Sequence, residues 1–128
     1  MILQSKRVLI DSEFIPASVH IENGIITKIT AYNSVSEAID MGDLLITPGI
    51  IDLHSDALEK EIEPRPNAHF PLEFACKNLD RKLAMAGITT MYHAIGFEEN
   101  PNKHRNAKLA REQIETLSSM QARNLFLV

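Results

Sequence analysis

The densest group of side chains able to do chemistry is Asp52-Leu53-His54-Ser55-Asp56, followed at once by Ala57-Leu58-Glu59-Lys60-Glu61-Ile62-Glu63-Pro64-Arg65-Pro66. In an extended strand successive side chains alternate faces, which places Asp52, His54 and Asp56 on one side. An imidazole and a carboxylate two residues apart can reach one divalent cation together. His supplies a borderline nitrogen and Asp a hard oxygen, a pair suited to Zn²⁺, Mn²⁺ or Fe²⁺. The same spacing also suits a His hydrogen-bonded to an Asp with no metal between them. On spacing alone both readings stay open.

Such residues bind ligands when they stand at the C-terminal end of a parallel strand, so the flanking elements matter. Ile50 to His54 reads as a short, nearly all-apolar strand, the pattern of a strand covered on both faces. Residues 57–70 read as a long loop. Pro71 to Ala86 has helical spacing (Leu72, Ala75, Leu79, Leu83, Ala86), with Pro71 at a first position and Gly87 just past the end. Ile88 to Ile95 is a second strand. Asn100 or Asn102 is the expected cap of a helix whose apolar residues are Ala107, Leu109, Ala110, Ile114, Leu117 and Met120. Asn124 to Val128 starts a third strand. Strand and helix alternating at this spacing predict an α/β fold with a parallel sheet and right-handed crossovers.

The first third is β-structure. Residues 2–10, 14–21 and 25–30 are strands, and Asn23-Gly24 between the last two is a strong hairpin signal, because a type I′ turn needs positive φ at both central positions. On the first arm Val19 and Ile21 face one way, His20 and Glu22 the other. Residues 33–40 read as a loop, and Leu44-Leu45-Ile46 resumes extended structure before Thr47-Pro48-Gly49 turns the chain. The expected organisation is a small β-domain over residues 1–47 and an α/β part over 48–128.

Composition bounds the function. The chain has 128 residues, 45% apolar and 23% charged, close to globular averages and far from disordered or fibrous chains. Acidic residues exceed basic ones, 17 to 13, which is not the electrostatic footprint of a nucleic-acid binder. Cys76 is the single cysteine, which excludes an internal disulfide and a Cys-only metal site; it reads as a small buried helix residue. No apolar run approaches the ~18 residues of a membrane span, and residues 1–14 lack a secretory pattern. A soluble cytoplasmic protein without membrane or nucleic-acid partners is expected, and a homo-oligomer is compatible with the sequence.

Pro48-Gly49-Ile50-Ile51-Asp52-Leu53-His54 resembles the opening of the amidohydrolase superfamily, where P-G-[apolar]-[apolar]-D-x-H-x-H forms the first barrel strand and its two His bind metal. The stretch Ile21 to Ile29 is similar to that superfamily's N-terminal β-domain. Asp56 stands where the general pattern has the second His. His54-Ser55-Asp56-Ala57-Leu58-Glu59-Lys60, then Pro64-Arg65-Pro66 and Pro71, resembles one subgroup, the α-D-ribose 1-methylphosphonate 5-triphosphate diphosphatases of the carbon–phosphorus lyase pathway. Ala86-Gly87-Ile88-Thr89-Thr90 resembles the entry to their second strand.

The resemblance implies the front part of a metal-dependent (β/α)₈ hydrolase barrel. It implies hydrolysis of a phosphorylated sugar triphosphate to pyrophosphate and a 5-phosphate. Under it, His54 and Asp56 are candidate ligands of a divalent metal, Zn, Mn or Fe. Lys60 and Arg65 are candidate phosphate contacts; Arg65, held between two prolines, loses less freedom on binding and offers a bidentate fork. The competing reading of these two cations is a solvated loop paired with Glu59, Glu61 and Glu63. Asp52 and His93 are candidates to support the metal ligands, although His93 also reads as a plain strand-end histidine, and the subgroup commonly has Asp there. His20, His69 and His104 read as exposed, and Lys103, Arg105, Lys108 and Arg111 as a solvated helix face.

A complete barrel needs about 250 residues. Residues 49–128 cover two strand–helix units and the start of a third, and the apolar ending Leu125-Phe126-Leu127-Val128 resembles an unfinished sheet edge. The expectation is a truncated chain, inactive alone and marginally stable, with its β-domain an incomplete sandwich. A relative acting on cyclic amide C–N bonds and a non-catalytic fragment are the alternatives.

Overall fold

The computed structural model describes residues 1–99 and 105–123. The chain divides into two compact units, one over Met1–Pro48 and one from Gly49 on.

The first unit is a five-stranded sheet of β1 (Ile2–Ile10), β2 (Glu13–Glu22), β3 (Ile25–Ala31), β4 (Ile39–Asp40) and β5 (Leu45–Ile46). Strands β3-β2-β1-β4 are neighbours in that order, and β5 also pairs with β1. β1 and β3 flank β2 in antiparallel fashion, whereas β4 and β5 run parallel to β1. Asn23 and Gly24 turn between β2 and β3 with φ of 51° and 78°, the positive values that the Asn-Gly signal requires. The end of the expected 33–40 loop differs, since Ile39–Asp40 pairs with Leu3 and Gln4.

Alternation on β2 places Ala17, Val19 and Ile21 on one face, where Val8, Ile10 and Ile46 join them. The opposite face buries polar groups. Ser18 donates to Gln4 Oε1 at 3.2 Å, and Gln4 Nε2 donates to Asn33 Oδ1 at 3.0 Å. On the Ala17 face Ser5, paired with Ala17, donates to the Gly42 and Leu44 carbonyls. These bonds satisfy side chains whose burial would otherwise be costly, and they tie the 33–44 segment to β1. His20, expected to be exposed, is half-buried with Nε2 3.1 Å from Thr30 Oγ1.

The second unit contains β6 (Ile50–Ser55), α1 (Ala57–Ile62), α2 (Leu72–Met85), β7 (Ile88–His93) and α3 (Ala107–Ala122). β6 and β7 are parallel. The helices build the core from Leu58, Ala75, Cys76, Leu79, Leu83 and Met120, against which Ile88, Met91 and Leu117 pack. Helix α2 follows the expected apolar spacing and ends before Gly87, whose φ of 76° suits a residue without Cβ. The Gly87 carbonyl then accepts from Ile50 N–H at 3.0 Å, which starts the sheet where the helix stops.

Three expectations are corrected here. Residues 57–62 are helical: Ala-Leu-Glu-Lys-Glu-Ile are good helix formers, Leu58 anchors them at 2% exposure, and Pro64 follows the end. The cap of α3 is Asn106, in extended backbone, whose Oδ1 accepts from Leu109 N–H at 2.9 Å. Asn100 and Asn102, like Lys103, His104 and the expected strand at 124–128, lie outside the described residues. Finally, β6 is not covered on both faces: Ile50, Ile51 and Leu53 are more than half exposed, because β7 is its sole strand partner among the described residues. No helix among the described residues is long and apolar enough to cross a membrane.

Candidate functional site

The strict alternation expected from Asp52 through Asp56 does not hold. Asp52 is paired with Met91 and Ser55 with His93, three steps along β6 against two along β7. The extra residue falls at Leu53-His54, an irregularity of the kind that re-aims a side chain near a strand end. Asp56 is off the strand altogether, at the N-cap position of α1 with φ −96° and ψ 17°, and its side chain caps no N–H. Asp52 is spent locally, its Oδ1 accepting from His54 N–H at 3.1 Å. His54 and Asp56 are both exposed at the C-terminal end of β6. Their donor chemistry suits a divalent cation, but among the described residues no group of three or more His, Cys, Asp or Glu is placed to hold one.

Lys60 and Arg65 flank a shallow, open groove of about 420 Å³. Lys60 reaches Asp56 at 3.5 Å across one helical turn, with both side chains more than half exposed. An exposed pair of this kind contributes at most about 1 kcal/mol and exchanges readily for another anion. Arg65 heads a turn closed by Ala68 N–H on the Arg65 carbonyl at 3.1 Å, with Asn67 at φ 64°. The glutamates that could have neutralised these cations are committed elsewhere. Glu59 takes Arg105, Glu61 takes Lys82 and Asn78, and Glu63 takes His69 and the Asn67 N–H. Arg65 therefore lines the groove without a carboxylate partner among the described residues.

Arg105 is the residue sequence reasoning missed. Expected on a solvated helix face, it is one-fifth exposed and precedes α3, with Nε 3.1 Å from Glu59 and Nη1 2.9 Å from Glu98. Its Glu59 partner lies 46 positions away, so no local pattern could announce it.

His93 lies apart from this groove. It lines a cavity of about 50 Å³ with Cys76, Asp80, Leu83, Met91 and Leu117, room for a water molecule or two but not for a triphosphate. Its buried Nδ1 has no hydrogen-bond partner among the described residues. Burial lowers the His93 pKa, with the Asp52 carboxylate pulling the other way. Burial likewise pushes the Cys76 thiol up to about 11, which leaves it unreactive near neutrality.

A folded state that resists protonating His93 is at full advantage above the unfolded value near 6.5, and loses it as pH falls through the depressed folded value. Urea midpoints should therefore drop between pH 7 and pH 5, and drop less in His93→Gln. An equal fall in both proteins would remove His93 as the cause.

No family model matches the sequence. The chain is similar to a hydrolase, a diphosphatase by its name. That relative, the alpha-D-ribose 1-methylphosphonate 5-triphosphate diphosphatase of Escherichia coli (strain K12), is 26% identical over 126 residues, 98% of this chain and 33% of the relative. The chain thus spans about a third of the length of the curated protein it matches.

Proposed function

We propose that this chain is the phosphate- and metal-facing N-terminal portion of an amidohydrolase-type barrel. Its proposed reaction is hydrolysis of α-D-ribose 1-methylphosphonate 5-triphosphate to the 5-phosphate and pyrophosphate. The observation that carries the reading is the groove beside α1, where among the described residues Arg65 has no acidic partner and Lys60 has only an exchangeable one. Similarity along 98% of the chain to a diphosphatase supports it. So do the exposed Ile50, Ile51 and Leu53, which suit a strand that further barrel elements would cover.

In this reading Arg65 takes one phosphate bidentately and Lys60 leaves Asp56 for a second. His54 and Asp56 would hold a divalent cation, which when bound supplies Lewis-acid activation of the attacking water. Catalytic zinc is generally held by three protein ligands, and this pair is one short. Binding without turnover is accordingly the expectation for these 128 residues.

Isothermal titration with Mn²⁺ and with inorganic tripolyphosphate tests the proposal. Arg65→Gln should weaken tripolyphosphate by about tenfold or more, the worth of a charge-assisted pair. His54→Ala should abolish Mn²⁺ binding while leaving the fold intact. A wild-type chain that takes up no tripolyphosphate, or an Arg65→Gln variant that binds it equally well, would overturn the phosphate assignment.

A further inference from the structure

Six charged side chains face the groove: Asp56, Glu59 and Glu63 against Lys60, Arg65 and Arg105. Three negative charges beside a polyanion would repel it unless they are neutralised. Asp56 has Lys60, and Glu63 has His69 and the Asn67 N–H. Glu59 depends on Arg105, which approaches its Oε2 through both Nε and Nη2, at 3.1 and 2.5 Å. The guanidinium is fixed from a second side by Glu98, and its side chain lies beside Gly96, where an added Cβ would come within 3.2 Å of Arg105 Cδ. The loop after β7 thus carries the cradle, and α1 supplies the carboxylate that the cradle neutralises.

We infer that Arg105 is a positioning residue for anion binding: by neutralising Glu59 on the groove wall, it keeps the groove receptive to a phosphate chain at Lys60 and Arg65. The inference rests on the phosphate reading above. Its own content is the sign of the field, since removing Arg105 turns a balanced groove into one with an excess negative charge. At a separation of ~7 Å and an effective dielectric between 20 and 80, one unit charge changes affinity by roughly threefold to fiftyfold.

The test is calorimetric titration of the full chain with inorganic tripolyphosphate at low salt, where screening is weak. Arg105→Gln should weaken binding by at least about threefold. Arg105→Lys, which keeps the charge but loses the bidentate fork, should stay close to wild type. Glu59→Gln/Arg105→Gln should recover the lost affinity, a rescue that a purely architectural clamp would not give. Should Arg105→Gln fail to fold, Glu59→Gln alone carries the test, because it leaves Arg105 in excess and should tighten binding by a similar factor. Unchanged affinity in Arg105→Gln, no rescue in the double variant, or no tightening in Glu59→Gln overturns the inference while the phosphate reading stands. Absence of binding by the wild-type chain overturns both.

Discussion

Gly49→Ala should destabilise the second unit by about 1–3 kcal/mol, the range for forcing extra atoms into a packed contact. A Cβ at Gly49 would lie 2.0 Å from Thr89 Oγ1, 2.3 Å from Thr89 Cγ2 and 2.6 Å from Thr89 Cβ. Rotating the threonine clears at most one of the first two clashes, because its two γ atoms always fill one of the two crowded positions, and the last is fixed by backbone. The close approach follows from register: Ile50 is paired with Ile88 and Ile51 with Thr90, so Thr89 is the extra residue of a bulge, turned across the glycine. Urea unfolding measures the loss. Thr89→Gly in the same chain should restore most of it, less the ~0.5–1 kcal/mol that a glycine costs inside a strand. Thr89→Ala should restore only part, because its Cβ remains 2.6 Å from the added one. Full stability in Gly49→Ala would show that β6 and β7 meet differently, and the placement of His54 after β6 would change with them.

That bulge and the one at Leu53-His54 mark the boundary of what the sequence disclosed. Features set within one element were legible. Asn23-Gly24 at positive φ, the Val19–Ile21 face and the apolar stripe of α2 all follow from residues a few positions apart. The mixed α/β character followed from the same local patterns. Features set between elements were not. The irregularity at His54 exists only in its pairing with β7, so a period of two read along β6 could not reveal it. Helix α1 was hidden for another reason, since six charged-rich residues with one buried anchor carry too little periodicity to separate from a loop.

The charged site was half legible for the same reason. The resemblance, with Arg65 held between two prolines, marked Lys60 and Arg65, and both line one groove. Whether the neighbouring glutamates would neutralise them was a question of distant partners. Lys82 comes from α2, 21 positions beyond Glu61, and Arg105 comes from still farther. Those long-range pairs withdraw Glu59 and Glu61 from the local cations, so Lys60 and Arg65 are solvent-exposed without the glutamate partners that the solvated-loop reading gave them.

Met120→Ala is the second large effect expected, a loss of about 2–5 kcal/mol. Met120 is 0% exposed, and among the described residues of α3 its one buried companion is Ala110. Truncation therefore removes the principal apolar anchor of that helix. The exposed bridge from Arg123 to Glu73 at 2.9 Å links α3 to α2 but offsets little of this, both side chains being half exposed. The vacated space would lie in the core cluster that holds Cys76, Leu79 and Leu83, residues that also line the small His93 cavity. Water entry there would ease the desolvation that depresses His93, so the variant should lose stability at neutral pH and show a shallower decline toward pH 5. Met120→Leu, close in volume, should cost less than about 1.5 kcal/mol and keep the wild-type pH dependence. Urea titrations of the three proteins at pH 7 and pH 5 decide it. An alanine variant within about 1 kcal/mol of wild type would mean that α3 is held by something other than this side chain.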